Sequence, residues 1–227
     1  MTQPAQKSTV GQDTREQIIL AAEQLFGEFG IDAVSMRQIN VAAEQRNSSA
    51  AHYHFGSKEA LVMETFHYRM ERINHRRLQR LDEIAEAGQV GELRRLVTAM
   101  ILPIVEEIEK SKGGNHYIRF EARALGHPKL DFFALWRSEH SEGLGRIYTL
   151  LQAVLADIPK SLLSQRFGMI MELIIHSLAD REIFRVTAEK GSGFYAPVFI
   201  NNLVDSCAGV LNAPVSSETQ IEIDRQT

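Results

Sequence analysis

The sequence predicts an all-α protein with a small three-helix head at the N-terminus and a larger helical body behind it. Three observations predict this. Apolar residues recur at helical spacing almost throughout the chain. Cap and stop residues punctuate that pattern at regular intervals. Strand-type alternation is absent over any useful length.

The first helix is expected from about Thr14 to Phe29, with Ile18, Ala22, Leu25, Phe26 and Phe29 on one face. Thr14 and Gln17 are spaced for a capping box, and Gly30 is a C-terminal stop. A second, short helix follows Ser35, whose spacing to Gln38 again suits a capping box; Met36, Ile39, Ala42 and Ala43 point inward. The polar run Glu44-Gln45-Arg46-Asn47 is a turn. Asn47, Ser48 and Ser49 are candidate N-caps for a third short helix that ends near Phe55 and is stopped by Gly56. Ser57 caps a long fourth helix reaching about Glu86. Five body helices are expected at about Glu92–Lys110, with a kink at Pro103, then His116–Leu125, Lys129–Ala156, Ser161–Glu189 and Tyr195–Leu211. The expected division is 1–12 flexible arm, 13–60 helix-turn-helix head, 61–211 body and 212–227 flexible tail.

The chain has 227 residues, 44% hydrophobic and 24% charged, enough for a sizeable core. One cysteine, Cys207, excludes an intrachain disulfide and a Cys-based zinc site, and its apolar neighbours mark it as a small buried hydrophobe. The sequence lacks an apolar run of membrane-spanning length, and residues 1–12 lack the apolar centre of a signal peptide, so the expected place is the cytoplasm. The net charge is −4, and the first 81 residues carry ten Lys/Arg against nine Asp/Glu. Any case for DNA binding therefore rests on pattern, not bulk charge.

That pattern lies between Ser35 and Leu61. Phe26 and Gly30, then Ser35 and Ile39, then Tyr53, His54, Phe55, Lys58 and Leu61 stand in an order that closely resembles the DNA-binding head of the TetR family. About a quarter of the chain carries the resemblance. It implies that the third helix lies in the major groove. Asn47, Ser48 and Ser49 would reach base edges, Arg46 would read guanine or bind phosphate, and Asn47 would pair with adenine. Tyr53 and His54 resemble the family's donors to phosphate, with His52 where many members have a tyrosine. Lys58 would bind phosphate at the start of the fourth helix. Ser35, Arg37 and Gln38 would grip the backbone. Ser48 and Ser49 are alternatively only caps, and His54 only a packing residue. The turn is one residue longer than the family's usual one.

The resemblance also implies a ligand-binding, dimer-forming body. Its last two long helices would pair with their copies through Phe167, Ile170, Met171, Ile174, Ile175, Leu178, Phe199, Leu203 and Val210, unless these are intramolecular core. Ile101, Ile104, Tyr117, Phe120, Phe133, Trp136, Tyr148, Met169 and Leu173 are candidate pocket residues, or core. Arg119, Glu121 and Arg123 would add polar contacts or form surface ion pairs. The arginines from Arg69 to Arg80 read as a solvated face of the fourth helix. The implied partners are an operator in double-stranded DNA, a small-molecule effector, hydrophobic or aromatic, and a second copy of the chain, with no membrane, cofactor or metal.

Two other function classes fit the sequence less well. The usual nucleophile, phosphate-binding and zinc motifs of enzymes are absent. A single Glu64-x-x-His67 falls short of a di-iron site, and Glu172 with His176 suits an interfacial hydrogen bond better than a metal. A helical interaction protein without DNA binding would fit the near-neutral head.

Overall fold

The computed structural model describes residues 6–110, 116–130, 141–187 and 197–225, the side chains of 6–12 and 180–187 excepted. The described residues are helices and connecting turns, without strands. The helices are α1 (Gln6–Phe29), α2 (Met36–Ala42), α3 (Ala50–Phe55), α4 (Lys58–Glu86), α5 (Leu93–Lys110), α6 (Tyr117–Ala124), α7 (Glu142–Val154), α8 (Lys160–Thr187), α9 (Pro197–Leu211) and α10 (Ser217–Asp224).

Several boundaries differ from expectation. α1 starts at Gln6, so Thr14 and Gln17 lie inside a helix and cap nothing. Phe29, expected on the inner face, is exposed at the end of α1. Lys129 is a turn residue, and the helix expected from it is seen from Glu142 onward. The tail carries the short helix α10, capped by Ser216 and burying none of its residues.

One apolar core runs through head and body. α1 packs on α6 and α4; α4 packs on α5 and α7; α8 packs on α6 and α9. α6 thus touches the first helix of the head on one side and the body on the other. Phe120 of α6 stacks on Phe26 of α1 at 6.0 Å between ring centres. Arg123 of α6 caps the end of α1: its Nε donates to the Gly27 carbonyl at 2.9 Å and its Nη2 to that of Glu28 at 3.1 Å. These are orphan carbonyls of a helix C-terminus, where a cation is favoured.

The arginines of α4 do not form a solvated face. Arg69 and Arg77 are buried. Arg69 donates to both carboxylate oxygens of Glu23, at 2.7 and 3.2 Å, and to Glu107 at 3.1 Å. Arg76 pairs with the other oxygen of Glu107 at 2.9 Å. Acids from α1 and α5 therefore clamp α4 between them. Burial alone would pull the Arg69 guanidinium down, but its bonds to Glu23 and Glu107 outweigh that and hold it up. Glu121, expected as a polar contact of the ligand or in a surface pair, is also buried.

Candidate nucleic-acid interface

Local chemistry shapes the head. Ser35 caps α2: its hydroxyl accepts from the Gln38 amide at 3.3 Å, and the Gln38 side chain accepts from the Ser35 amide at 2.8 Å. The reciprocal box fixes where α2 begins and occupies both side chains. α2 ends in a tight turn in which Glu44 takes φ +53°, a left-handed conformation unusual for a residue with a Cβ. Gly56, at φ +75°, ends α3, and the Ser57 hydroxyl accepts from Ala60 to start α4.

Asn40 holds the two short helices together. It is 2% exposed; its Nδ2 donates to the Ser48 carbonyl at 2.6 Å and its Oδ1 accepts from the Ala51 amide at 2.8 Å. One buried amide thus ties α2 to both sides of the start of α3. Ala50, Ala51 and Phe55 face the core beneath.

The opposite side of α3 is open. Arg46, Asn47, Ser48, Ser49, His52 and Tyr53 are exposed together, with Tyr53 at 83%, and Arg37 is exposed on α2. Asn47 Oδ1 accepts from the Ser49 amide at 2.9 Å, while Ser49 makes no side-chain cap. The ring of His54 is half-buried and meets that of Tyr53 edge to face at 5.3 Å. His52 Nδ1 lies 3.2 Å from the Gly56 carbonyl. Lys58 turns back: its ammonium donates to the Val34 carbonyl at 2.9 Å and lies 3.4 Å from that of Asp32. Arg15 packs over the Phe55 ring and pairs with Glu64, bracing α1 against α3 and α4.

Residues 18–65 match the family model for bacterial regulatory proteins of the tetR family, and residues 98–209 match that of the tetracyclin repressor-like C-terminal domain. The first match spans the head just described and the second most of the body. The chain belongs to the TetR family. Among solved structures it is similar to a TetR-family transcriptional regulator from Mesorhizobium loti, at 18% identity and TM-score 0.54, covering 89% of this chain and 96% of that one. It is also similar to a TetR-family regulator from Streptomyces coelicolor, at 18% identity and TM-score 0.42, covering 93% and 98%. No curated protein matches it. The protein is a DNA-binding TetR-family transcriptional regulator with a C-terminal ligand-binding domain.

Within that family frame, the structure places the candidate interface and pocket residues as follows. Ile170, Met171, Ile174, Ile175, Leu178 and Leu203 are buried inside the single chain, so they are its own core and not available to a partner. Phe167, Phe199 and Val210 are half-buried at its margin. The outward stripe of α8 is Ser161, Gln165, Met169, Glu172 and His176; that of α9 is Val198, Asn202, Ser206 and Gly209. Periodicity marks an apolar stripe but not which neighbour covers it.

Of the pocket candidates, Ile101, Ile104, Tyr117 and Phe120 are buried and Tyr148 and Leu173 half-buried. Met169 is 58% exposed and lines no interior space. Phe133 and Trp136 lie outside the described residues. Phe120 and Tyr148 are engaged elsewhere, with Phe26 and, at 5.1 Å, with Phe167. An open groove of about 470 Å³ lies at the far end of α4, against α5 and α9, and none of the forecast residues lines it. Its Arg80, Arg94 and Arg95 are already paired with Glu106, Asp205 and Glu92.

Proposed function

We propose that the protein is a repressor that binds a pseudo-palindromic operator as a homodimer and leaves it when a small, hydrophobic or aromatic effector enters the body. In this scheme residues 13–60 read DNA and residues 61–211 sense the effector and dimerise, in the cytoplasm where the operator is. The observation that supports it best is the open row on α3, held over the core by the buried Asn40. Arg46, Asn47, Ser48 and Ser49 would meet base edges, and His52, Tyr53 and His54 phosphates. Arg37 would grip the backbone beside them. Ser35 and Gln38, already joined in their box, would offer mainly the helix start they define. Lys58 would have to exchange its carbonyl partners for a phosphate. The second copy would meet the outward stripes of α8 and α9, setting two copies of α3 one DNA turn apart, about 34–36 Å.

Selection of sites from randomised duplex DNA tests this directly. A palindrome should be enriched, with affinity falling steeply in salt and in Tyr53→Ala and Arg46→Ala. No enriched sequence, or binding indifferent to both substitutions, would remove α3 as the reading helix.

A further inference from the structure

Arg77 stands apart from the other buried arginines. It lies on the inner face of α4 and is 0% exposed. Its Nη2 reaches the Met100 carbonyl only at 3.4 Å, its Nη1 touches the Met70 sulfur at 3.9 Å, and its Nε meets no acceptor. It joins no ion pair among the described residues. Arg69, two turns earlier on the same helix, binds two carboxylates, and the buried Arg166 donates to the Leu211 carbonyl at 2.9 Å. The fold therefore can satisfy a buried guanidinium, and at Arg77 it leaves donors unused.

A charge held out of water with so few partners is costly unless something supplies them. Burial pulls the Arg77 guanidinium down to about 10, against the opposing pull of Tyr117 and Glu121. Tyr117 and Glu121 are near enough to act on it through space. The guanidinium fork matches two oxygens of a carboxylate or sulfonate. The Met70 sulfur touches it, and a methionine side chain re-packs easily around a guest.

We propose that Arg77 anchors the acidic group of the effector, so that the effector is a hydrophobic anion, such as an aromatic or aliphatic carboxylate. This rests on the body being the effector-binding part. The position gives the contact a consequence. Arg77 lies on the helix that begins at Lys58, about 28 Å further along at 1.5 Å per residue. An anion at Arg77 thus acts on the helix that carries the head, and Met70 must adjust to admit it.

The test uses the full-length protein and two dyes that share a ring system, the anionic anilinonaphthalenesulfonate and the uncharged phenylnaphthylamine, followed by fluorescence titration. The wild type should prefer the anion by at least about tenfold, the scale of hydrogen bonds to a buried charge. Arg77→Met should lose that preference and keep its affinity for the neutral dye. Glu121→Gln, which removes the competing negative charge, should bind the anion more tightly. Equal binding of both dyes by the wild type, or an anion affinity unchanged in Arg77→Met, would overturn the assignment while leaving an effector-binding body. Saturable binding of neither dye would overturn the hydrophobic-effector proposal as well. Should Arg77→Met fail to fold by circular dichroism, the wild-type preference and the Glu121→Gln response still decide.

Discussion

Asn40 and Glu44 lie four residues apart in the head and pull in opposite directions on its stability. The two bonds of Asn40 are buried, so removing its amide leaves the Ser48 carbonyl and the Ala51 amide without that partner. Asn40→Ala should destabilise the protein by about 2–3 kcal/mol, seen as a lower urea midpoint. Asn40→Asp keeps the acceptor but sets a carboxylate oxygen against the Ser48 carbonyl and buries a charge, so at neutral pH it should destabilise at least as much. A midpoint unchanged in Asn40→Ala would mean that the α2–α3 joint is held by apolar packing alone. Glu44, exposed and at φ +53°, bears the cost of a left-handed backbone, and among the described residues its side chain makes no hydrogen bond or ion pair in return. Glu44→Gly should gain about 1 kcal/mol, or roughly 2–4 °C in melting temperature for a chain of this size. A lower melting temperature would show that the Glu44 side chain contributes something that outweighs the strain.

At the scale of elements, the junction of α1 with α6 is where head meets body. A Cβ on Gly27 would lie 2.9 Å from the His116 carbonyl, so the close approach of the two helices depends on glycine there. Gly27→Ala should cost about 1–3 kcal/mol as an overpacked contact. Arg123→Met, which frees the carbonyls of Gly27 and Glu28 at an exposed site, should cost about 1 kcal/mol. Hydrogen exchange at the C-terminal turn of α1 should quicken in both variants. Exchange that stays as slow as in the wild type would show that α1 does not depend on α6 for its stability.

For the whole molecule, alkaline pH reports on the core. Cys207 is buried on α9, and burial pushes its thiol from 9.0 up to about 12. A group raised in the folded state contributes stability that is complete below its unfolded value and is lost as pH rises toward the folded one. Tyr117, raised well above 10.0 by burial and by Glu121, acts in the same direction. Arg77, lowered to about 10, acts in the opposite one, since the folded state sheds that proton first and gains as pH rises above 10. Stability should therefore decline from about pH 9 upward through Cys207 before the other two begin to oppose each other. Cys207→Ala should flatten the decline between pH 9 and 10 in thermal melts. An identical slope in the variant would assign the decline to another group.

How much was legible in the sequence follows the range of each interaction. Ser35, Gly56 and Ser57 announced helix ends because a cap involves atoms within three or four residues. The all-helical class and the order of the head follow from the same local spacing. The start of α1, by contrast, was misplaced, because Thr14 and Gln17 can cap but need not where the helix continues upstream. The partners of Arg69 are 46 and 38 residues away, so its burial could not be read from the charges around it on α4. Asn40 was hidden for another reason: its partners lie only 8 and 11 residues on, but its two bonds exist only once α3 folds across it. The apolar stripe of α8 was legible, but not whether a partner or the chain itself covers it; within the chain, α6 and α9 pack on that helix. By itself the sequence determined what depends on near neighbours: the helices, their caps and the row of residues proposed to face DNA. Only tertiary structure decided which charges are buried, which apolar stripe faces outward and where Arg77 lies, because burial is set by residues distant in the chain.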